Sequence, residues 1–170
     1  MNVSRFLVTL MLVLVAPYSN SSSKDPGKVI AGWVEKISFG EQPLVIKAKL
    51  DSGAKTSSIY AINVENFKQA GERWVRFDLL LEDADGKEHK IHMEKPKARR
   101  VLIKSSDEAN EDRRAVVELE FCFDGRQRKS EFTLADRSGF IYGVLLGREF
   151  LAGVAVIDPQ STFLTMAKCH

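Results

Sequence analysis

The residues best suited to chemistry lie in two short segments of the chain. In the first, 46–60 (IKAKLDSGAKTSSIY), an apolar strand ends at Leu50 and a loop of small residues, Asp51-Ser52-Gly53-Ala54, follows. In the second, 144–151 (VLLGREFL), an apolar strand meets Gly147, where backbone can pack tightly against that loop. Small neighbours let two such loops approach until their carboxyls share one proton, an arrangement that activates water. The triplet alone is equally typical of an ordinary turn, so only the two segments together indicate a carboxylate site.

Two histidines, His89 and His92, raise the question of a metal site. Their positions differ by an odd number, so on a regular strand the two imidazoles point to opposite faces and cannot share an ion. The helical zinc motif, with histidines at i and i+4 and an intervening Glu, does not occur in the sequence. We therefore predict structural or surface histidines, no metal ligand and no cofactor.

Motifs of several other enzyme classes are also missing. The sequence has no glycine-rich phosphate loop and no G-x-S-x-G nucleophile elbow. Its two cysteines, Cys122 and Cys169, lack the nearby His and Asn or Asp pattern of a cysteine protease. Whether they form a disulfide bond stays open at this point, because the sequence gives no distance between them.

Strands must position the candidate residues, because period-two alternation dominates the chain. Apolar residues occupy the odd positions of 75–81 and of 117–123, and turn dipeptides follow at Asp85-Gly86 and Asp124-Gly125. Further strands are predicted at 29–39, 44–50, 87–94, 101–103, 132–134, 154–157 and 163–166. Helical periodicity is confined to single turns at 64–70 and 148–151. Many short strands separated by turns predict a compact all-β sandwich or barrel.

The N-terminal segment predicts the compartment. Residues 1–21 carry one charge, Arg5, and an apolar run over 6–16 that is too short to span a membrane. Such a segment is typical of a signal peptide, with an uncleaved anchor as the alternative. We therefore expect an exported protein, periplasmic or secreted, with a flexible leader over 22–28, one domain over 29–170 and no stable membrane span after cleavage.

Composition agrees with one soluble domain and excludes some partners. The chain has 170 residues, 44% hydrophobic and 28% charged, which is enough for a packed core. Its formal charge of +2 lacks the concentrated positive surplus of a protein that follows phosphates. Nucleic acid is therefore not expected as a partner.

An ordered set of motifs resembles a known family. The loop 51–54 (DSGA) followed by 145–148 (LLGR) resembles retropepsin-like aspartic proteases. More specifically, a small bacterial family labelled ATP-dependent zinc proteases is similar in the segments 32–35 (GWVE), 46–58 (IKAKLDSGAKTSS), 74–77 (WVRF), 99–106 (RRVLIKSS), 134–138 (LADRS), 145–153 (LLGREFLAG) and 157–159 (IDP). The resemblance covers about residues 30–165. The label conflicts with the missing zinc motif and ATP loop, so the aspartic-protease interpretation is preferred.

The resemblance implies a small closed β-barrel of the retropepsin type that supplies one catalytic aspartate, Asp51. Since D-[ST]-G occurs once in the chain, the second Asp51 would come from a symmetry-related subunit in a homodimer. Residues expected to support the active-site loop are Ser52, Gly53, Ala54, Thr56, Leu146 and Gly147. Arg148 is implied to form a structural ion pair or a dimer contact. The hairpin at 83–86 is a candidate flap, with an ordinary surface hairpin as the alternative.

Basic residues suggest which peptides such a site would take. Arg99, Lys104 and Arg137 are candidates to line a subsite for acidic peptide, with simple solvent exposure as the alternative. Cytosolic relatives resemble trimmers of glutamate tails, but this chain departs from them through its export signal and Asp136. Their substrate is therefore not carried over.

The sequence thus predicts an aspartic endopeptidase that acts on a peptide or protein substrate. A catalytically inactive peptide-binding or regulatory module with the same fold is the main alternative. A zinc-dependent peptidase is the second alternative.

Overall fold

A computed structural model of the chain describes residues 27–40, 44–103 and 112–169. The predicted signal peptide, most of the predicted leader and the candidate Lys104 lie outside these ranges, so export stays a prediction. Within them lie ten strands and one short helix. They are β1 Val29–Phe39, β2 Leu44–Leu50, β3 Ser57–Gln69, β4 Glu72–Glu82, β5 Glu88–Pro96, β6 Arg99–Ile103, β7 Asp112–Phe123, β8 Arg126–Ala135, β9 Val144–Leu146, α1 Arg148–Leu151 and β10 Ala155–Thr162.

Six of the strands close into a barrel. They follow one another in the order β1, β2, β9, β3, β8 and β7, and the pairing of Ser38 in β1 with Cys122 in β7 closes the ring. The short strand β9 lies between β2 and β3, parallel to β2 and antiparallel to β3. The end of β2 and the end of β9 therefore reach the same edge of the barrel. The prediction of a small closed β-barrel with few helical turns is confirmed.

The alternating segments form the core, as period-two spacing predicts. The odd positions of β4, from Val75 to Leu81, and of β7, from Val117 to Phe123, are all buried. Phe121 packs against both Phe132 and Phe150 at ring centroid distances of 5.5 and 5.1 Å. The short helix α1 is thus fixed to the barrel by an aromatic contact.

Strands β3, β4 and β5 form a meander beside the barrel. The predicted helical turn at 64–70 is wrong, because β3 continues to Gln69 and pairs with Glu72 of β4. Ala70 and Gly71 make the connection with positive φ angles of 49° and 84°, which suits a two-residue hairpin turn. The turns at 85–86 and 124–125 fall where the dipeptides predict them.

The segment after β10, which we call the strap (Phe163–Cys169), is held by a buried carboxylate. Glu35 in β1 is fully buried and accepts hydrogen bonds from Leu164 N at 2.9 Å, Thr165 N at 3.1 Å and Thr165 Oγ1 at 2.9 Å. It also accepts one from Gly32 N at 2.6 Å. The strand predicted at 163–166 is therefore wrong, because these backbone N–H groups bind a side chain instead of a neighbouring strand.

A disulfide bond fastens the far end of the strap. Cys122 in β7 and Cys169 are joined, with their Cα atoms 5.5 Å apart. The sequence left this pairing open. In the described ranges, no helix has the length and apolar character needed to cross a membrane.

Replacing Glu35 by Gln tests the anchoring of the strap. The amide removes the charge and turns N–H donors toward the N–H donors of the strap, so we expect a loss of about 2 kcal/mol in the free energy of unfolding. Urea denaturation measures this loss. Glu65→Gln, at an exposed position in β3, is the control and should leave the unfolding midpoint unchanged. Equal midpoints for the two variants would contradict the anchoring role.

Candidate active site

Asp51 lies immediately after β2, at the edge of the barrel where β9 also ends. Its backbone N donates to Leu146 O at 2.9 Å, which continues the parallel pairing of β2 with β9 by one residue. Its Oδ1 accepts hydrogen bonds from Gly53 N at 2.9 Å and Ala54 N at 3.3 Å. The carboxylate is therefore oriented by the loop that it begins, and its side chain remains 26% exposed.

Gly147 allows the loop to pack directly on the start of α1. A Cβ atom at this position would lie 2.5 Å from Thr56 O and 3.1 Å from Ala54 O. Three hydrogen bonds join the two segments: Gly147 N donates to Ser57 Oγ at 3.1 Å, Arg148 N to Ala54 O at 2.9 Å and Glu149 N to Lys55 O at 3.0 Å. The segments that the sequence paired are thus brought into contact.

The electrostatic surroundings favour the ionised form of Asp51. Burial alone would raise its pKa, but a hydrogen bond and the charge of Lys49, together with the amides of Gly53 and Ala54, lower it overall. Lys49 Nζ lies 3.2 Å from Oδ2 of Asp51. The carboxylate of the single protomer is therefore surrounded by donors.

The other loop residues contribute mainly through their backbone. Arg148 Nη1 donates to the carbonyl oxygens of Ser52 and Gly53, both at 2.9 Å, so it braces the loop from outside. Ser52 itself is exposed. Thr56 supplies the carbonyl that packs on Gly147, whereas the hydroxyl bond comes from its neighbour Ser57. Ser52 and Thr56 were expected to support the loop, and the hydroxyl group that accepts the hydrogen bond of Gly147 N belongs to Ser57.

Arg137 is buried on the same side of the barrel. It is 7% exposed and donates to Ser58 Oγ at 2.9 Å and to Tyr142 O at 3.0 Å. Its guanidinium stacks on the exposed ring of Phe140 at 4.6 Å. Burial and the charge of Arg114 lower its pKa, while the charge of Asp51 raises it. Within the described part of the chain, Arg137 makes no ion pair with a carboxylate.

The remaining candidate cation lies at the rim. Arg99 contacts Glu131 through Nε and Glu149 through Nη2, the latter at 3.6 Å. Glu149 also pairs with Lys55 of the active-site loop at 3.7 Å. Arg99 is thus connected to the outer end of that loop, and both of its partners are acidic side chains of the same chain.

The two histidines bind different carboxylates. His89 Nε2 lies 2.7 Å from Asp83, and His92 Nδ1 lies 2.8 Å from Asp78. Asp78 also accepts from Asn63 at 2.7 Å and pairs with Lys90 at 3.0 Å, which keeps the pKa of its carboxyl well below the usual range. No group of three or more potential ligands suited to a metal ion occurs among the described residues.

The hairpin proposed as a flap lies beside β2. Asp83 pairs with Ile46, and its carboxylate also accepts from the backbone N atoms of Asp85 and Lys87. These contacts close the turn on itself and place its base at the start of β2, whereas Asp51 follows the end of that strand. Its role as a flap stays a prediction.

Sequence reasoning missed Lys49 and Ser57. Lys49 precedes Asp51 by two positions, and period-two spacing puts both side chains on one face at the end of β2. That spacing was therefore a usable signal. The sequence signal for Ser57 was weaker, because Ser57 and its hydrogen-bond partner Gly147 are 90 residues apart in the sequence.

Comparison with known proteins identifies relatives over nearly all of the described domain. A family model described as "Retropepsin-like aspartic endopeptidase RimB" matches residues 30–168. Two curated proteins named "Probable alpha-L-glutamate ligase" are also similar. The one from Desulfotalea psychrophila is 36% identical over 138 residues, and the one from Shewanella pealeana is 37% identical over 118 residues.

These matches cover 81% and 69% of this chain but only 29% and 25% of the two relatives. The chain therefore spans less than a third of their length. A solved structure of a Legionella pneumophila protein of unknown function is 29% identical, with a TM-score of 0.66. The likeness covers 81% of this chain and 98% of that protein.

Gly147→Ala tests the packing of the loop. The added methyl group would overlap Thr56 O, so either the loop or α1 must move. Overpacking of this kind costs about 1–3 kcal/mol of stability. Thermal unfolding and the amide chemical shifts of residues 51–57 measure both effects. Gly139→Ala, where a Cβ meets nothing within 4 Å, should change neither, and unchanged shifts in Gly147→Ala would refute the close approach.

Proposed function

Because the chain belongs to the RimB-like family of retropepsin-like aspartic endopeptidases, we propose that it hydrolyses peptide bonds with Asp51 as its catalytic residue. One observation carries the proposal. The Asp51 carboxylate is fixed by two backbone amides and by the packing of its loop on Gly147, while its side chain stays partly open to solvent. A fixed, accessible carboxylate is what the activation of water requires.

The mechanism needs a second carboxylate, which we assign to a second copy of the chain. In a twofold dimer the two Asp51 loops would face each other and share one proton. The ionised carboxylate would take a proton from water while the water oxygen attacks the peptide carbonyl carbon. The protonated carboxyl would donate to the carbonyl oxygen. The carboxyl that took the proton from water would then pass it to the amide nitrogen as the C–N bond breaks, which releases the amine and a new carboxyl terminus. Solvent access to Ser52 and Gly53 supports this arrangement.

Acidic peptides are the substrate class that the site supports best. Burying a guanidinium is costly without an anion to pair with it, and Arg137 has no carboxylate partner in the described ranges. An acidic side chain of a bound peptide would complete its contacts. The names of the curated relatives, which refer to glutamate ligation, support the same class.

A peptide-binding module without catalysis is the second candidate. It is favoured by the ion pair of Lys49 with Asp51, which neutralises the carboxylate in the single protomer. The partial match to proteins named as ligases favours it as well. This candidate predicts binding of acidic peptides without cleavage.

Asp51→Asn distinguishes the two functions. Loss of the acid and base should lower the cleavage rate of a peptide library by at least about 100-fold, while peptide binding persists. Mass spectrometry of the products measures cleavage, and sedimentation measures the dimer. Glu65→Gln, at an exposed position in β3 away from the candidate site, is the control. Equal cleavage by Asp51→Asn and the unmutated protein would overturn the aspartic mechanism, and no cleavage by either would favour the binding module.

Arg137→Met tests the preference for acidic peptides. Loss of a charged hydrogen-bond donor should lower kcat/KM by about 10- to 100-fold for glutamate-containing peptides and much less for their glutamine counterparts. Arg137→Lys should restore part of the difference, and Arg73→Met, at an exposed position in β4, should leave it intact. An equal loss for both peptide series would assign Arg137 to the scaffold instead.

A further inference from the structure

The two oxygens of the Asp51 carboxylate have different surroundings. Oδ1 faces the amides of Gly53 and Ala54, which belong to its own loop. Oδ2 faces the ammonium group of Lys49 at 3.2 Å. The side chains of Lys49 and Asp51 are 41% and 26% exposed, so this ion pair lies at the open side of the loop. A cation therefore occupies the side of the carboxylate that the loop leaves free.

The strand fixes Lys49 in this place. Ala48 and Leu50 point into the barrel core, so Lys49 must point outward together with Lys47. β2 lies between β1 and β9, where Lys49 pairs with Val34 on one side and Leu145 on the other. Pairing with both neighbouring strands holds the backbone of Lys49 in place. The contact with Asp51 thus follows from the i, i+2 spacing and does not depend on a mobile loop.

Other charged groups around Asp51 make their hydrogen bonds elsewhere, and Arg137 interacts with Asp51 through its charge. Arg148 on α1 contacts the carbonyl oxygens of Ser52 and Gly53, and Arg137 contacts Ser58 and Tyr142. On the rim, Glu149 pairs with Lys55 and with Arg99. The β3 and β9 residues beside the loop are hydroxyl-bearing or apolar. In the described residues, Lys49 is the charged side chain that pairs directly with the carboxylate.

We propose that Lys49 is a positioning residue that sets the pH at which the Asp51 pair takes up its shared proton. The inference rests on the proposed dimeric site. Two carboxylates brought together repel each other and retain one proton toward neutral pH. Two Lys49 ammonium groups, one from each subunit, offset that repulsion, so the proton binds only at lower pH. Lys49 thereby confines the singly protonated, active form of the pair to acidic conditions.

The sign of the effect separates this role from a structural one. Removing a neighbouring cation raises the pKa of a carboxyl group, because the ionised form loses a favourable charge interaction. The pKa values of both proton-binding steps of the pair therefore rise together. The whole bell-shaped profile of kcat/KM against pH therefore shifts upward, and activity near neutral pH increases. A residue that only holds the loop would instead lower kcat/KM at every pH.

The test uses three variants of the full chain. Lys49→Met removes the charge, Lys49→Arg keeps it, and Lys47→Met removes a charge from the same face of β2 at a position that, among the described residues, makes no ion pair with Asp51. The first measurement is the titration of the Asp51 carboxyl carbon by NMR, which requires no activity. The second is the pH profile of kcat/KM on acidic peptides, at low and high salt.

In Lys49→Met we expect the Asp51 midpoint and the pH profile to rise by about one to three units. Lys49→Arg and Lys47→Met should stay close to the unmutated protein. High salt should shrink the difference, because the ion pair is partly exposed. An unchanged midpoint in Lys49→Met, or a uniform loss of kcat/KM without a shift, would overturn the inference. If no variant cleaves any peptide, the proposed function fails, and the NMR midpoint still decides the role of Lys49.

Discussion

The contact between the Asp51 loop and the start of α1 is the constraint on which the site depends. Backbone of the two segments approaches so closely that only a hydrogen atom fits on Gly147 Cα. That approach requires β2 and β9 to end at the same barrel edge, which in turn requires the closed ring of six strands. Phe150 then anchors α1 in the core through Phe121. The position of one carboxylate is therefore a property of the whole barrel.

The site also has a concentration of positive charge around Asp51. Lys49, Arg137 and Arg148 all lie around a single carboxylate, and two backbone amides also point at it. One protomer thus places three cationic side chains around one carboxylate. Such a surplus fits a site completed by an acidic peptide, whereas a second copy of the chain would bring its own Lys49, Arg137 and Arg148 together with its Asp51. The surplus therefore supports the proposed substrate class and is independent of the proposed dimer.

Local patterns in the sequence predicted the parts of the fold that depend on local geometry. Alternation predicted the buried faces of β4 and β7, because side chains of a strand point alternately to either side. The role of Glu35 escaped prediction, since its partners in the strap are 129 and 130 residues away. For the same reason the strap resembled a strand. Arg137 could be suggested as a site residue, but its burial depends on Ser58 and Tyr142, which only the folded barrel brings together.

The partners of β1 also determine when this domain can fold. β1 pairs with β10, and a hydrogen-bond donor to Glu35, Thr165 N, is synthesised 130 residues after it. Contacts of such long range slow folding, because a large part of the chain must be ordered before they form. During synthesis the edge of β1 that pairs with β10 therefore stays open until those residues have been added. The ring of six strands therefore cannot close until β9, Val144–Leu146, has been synthesised.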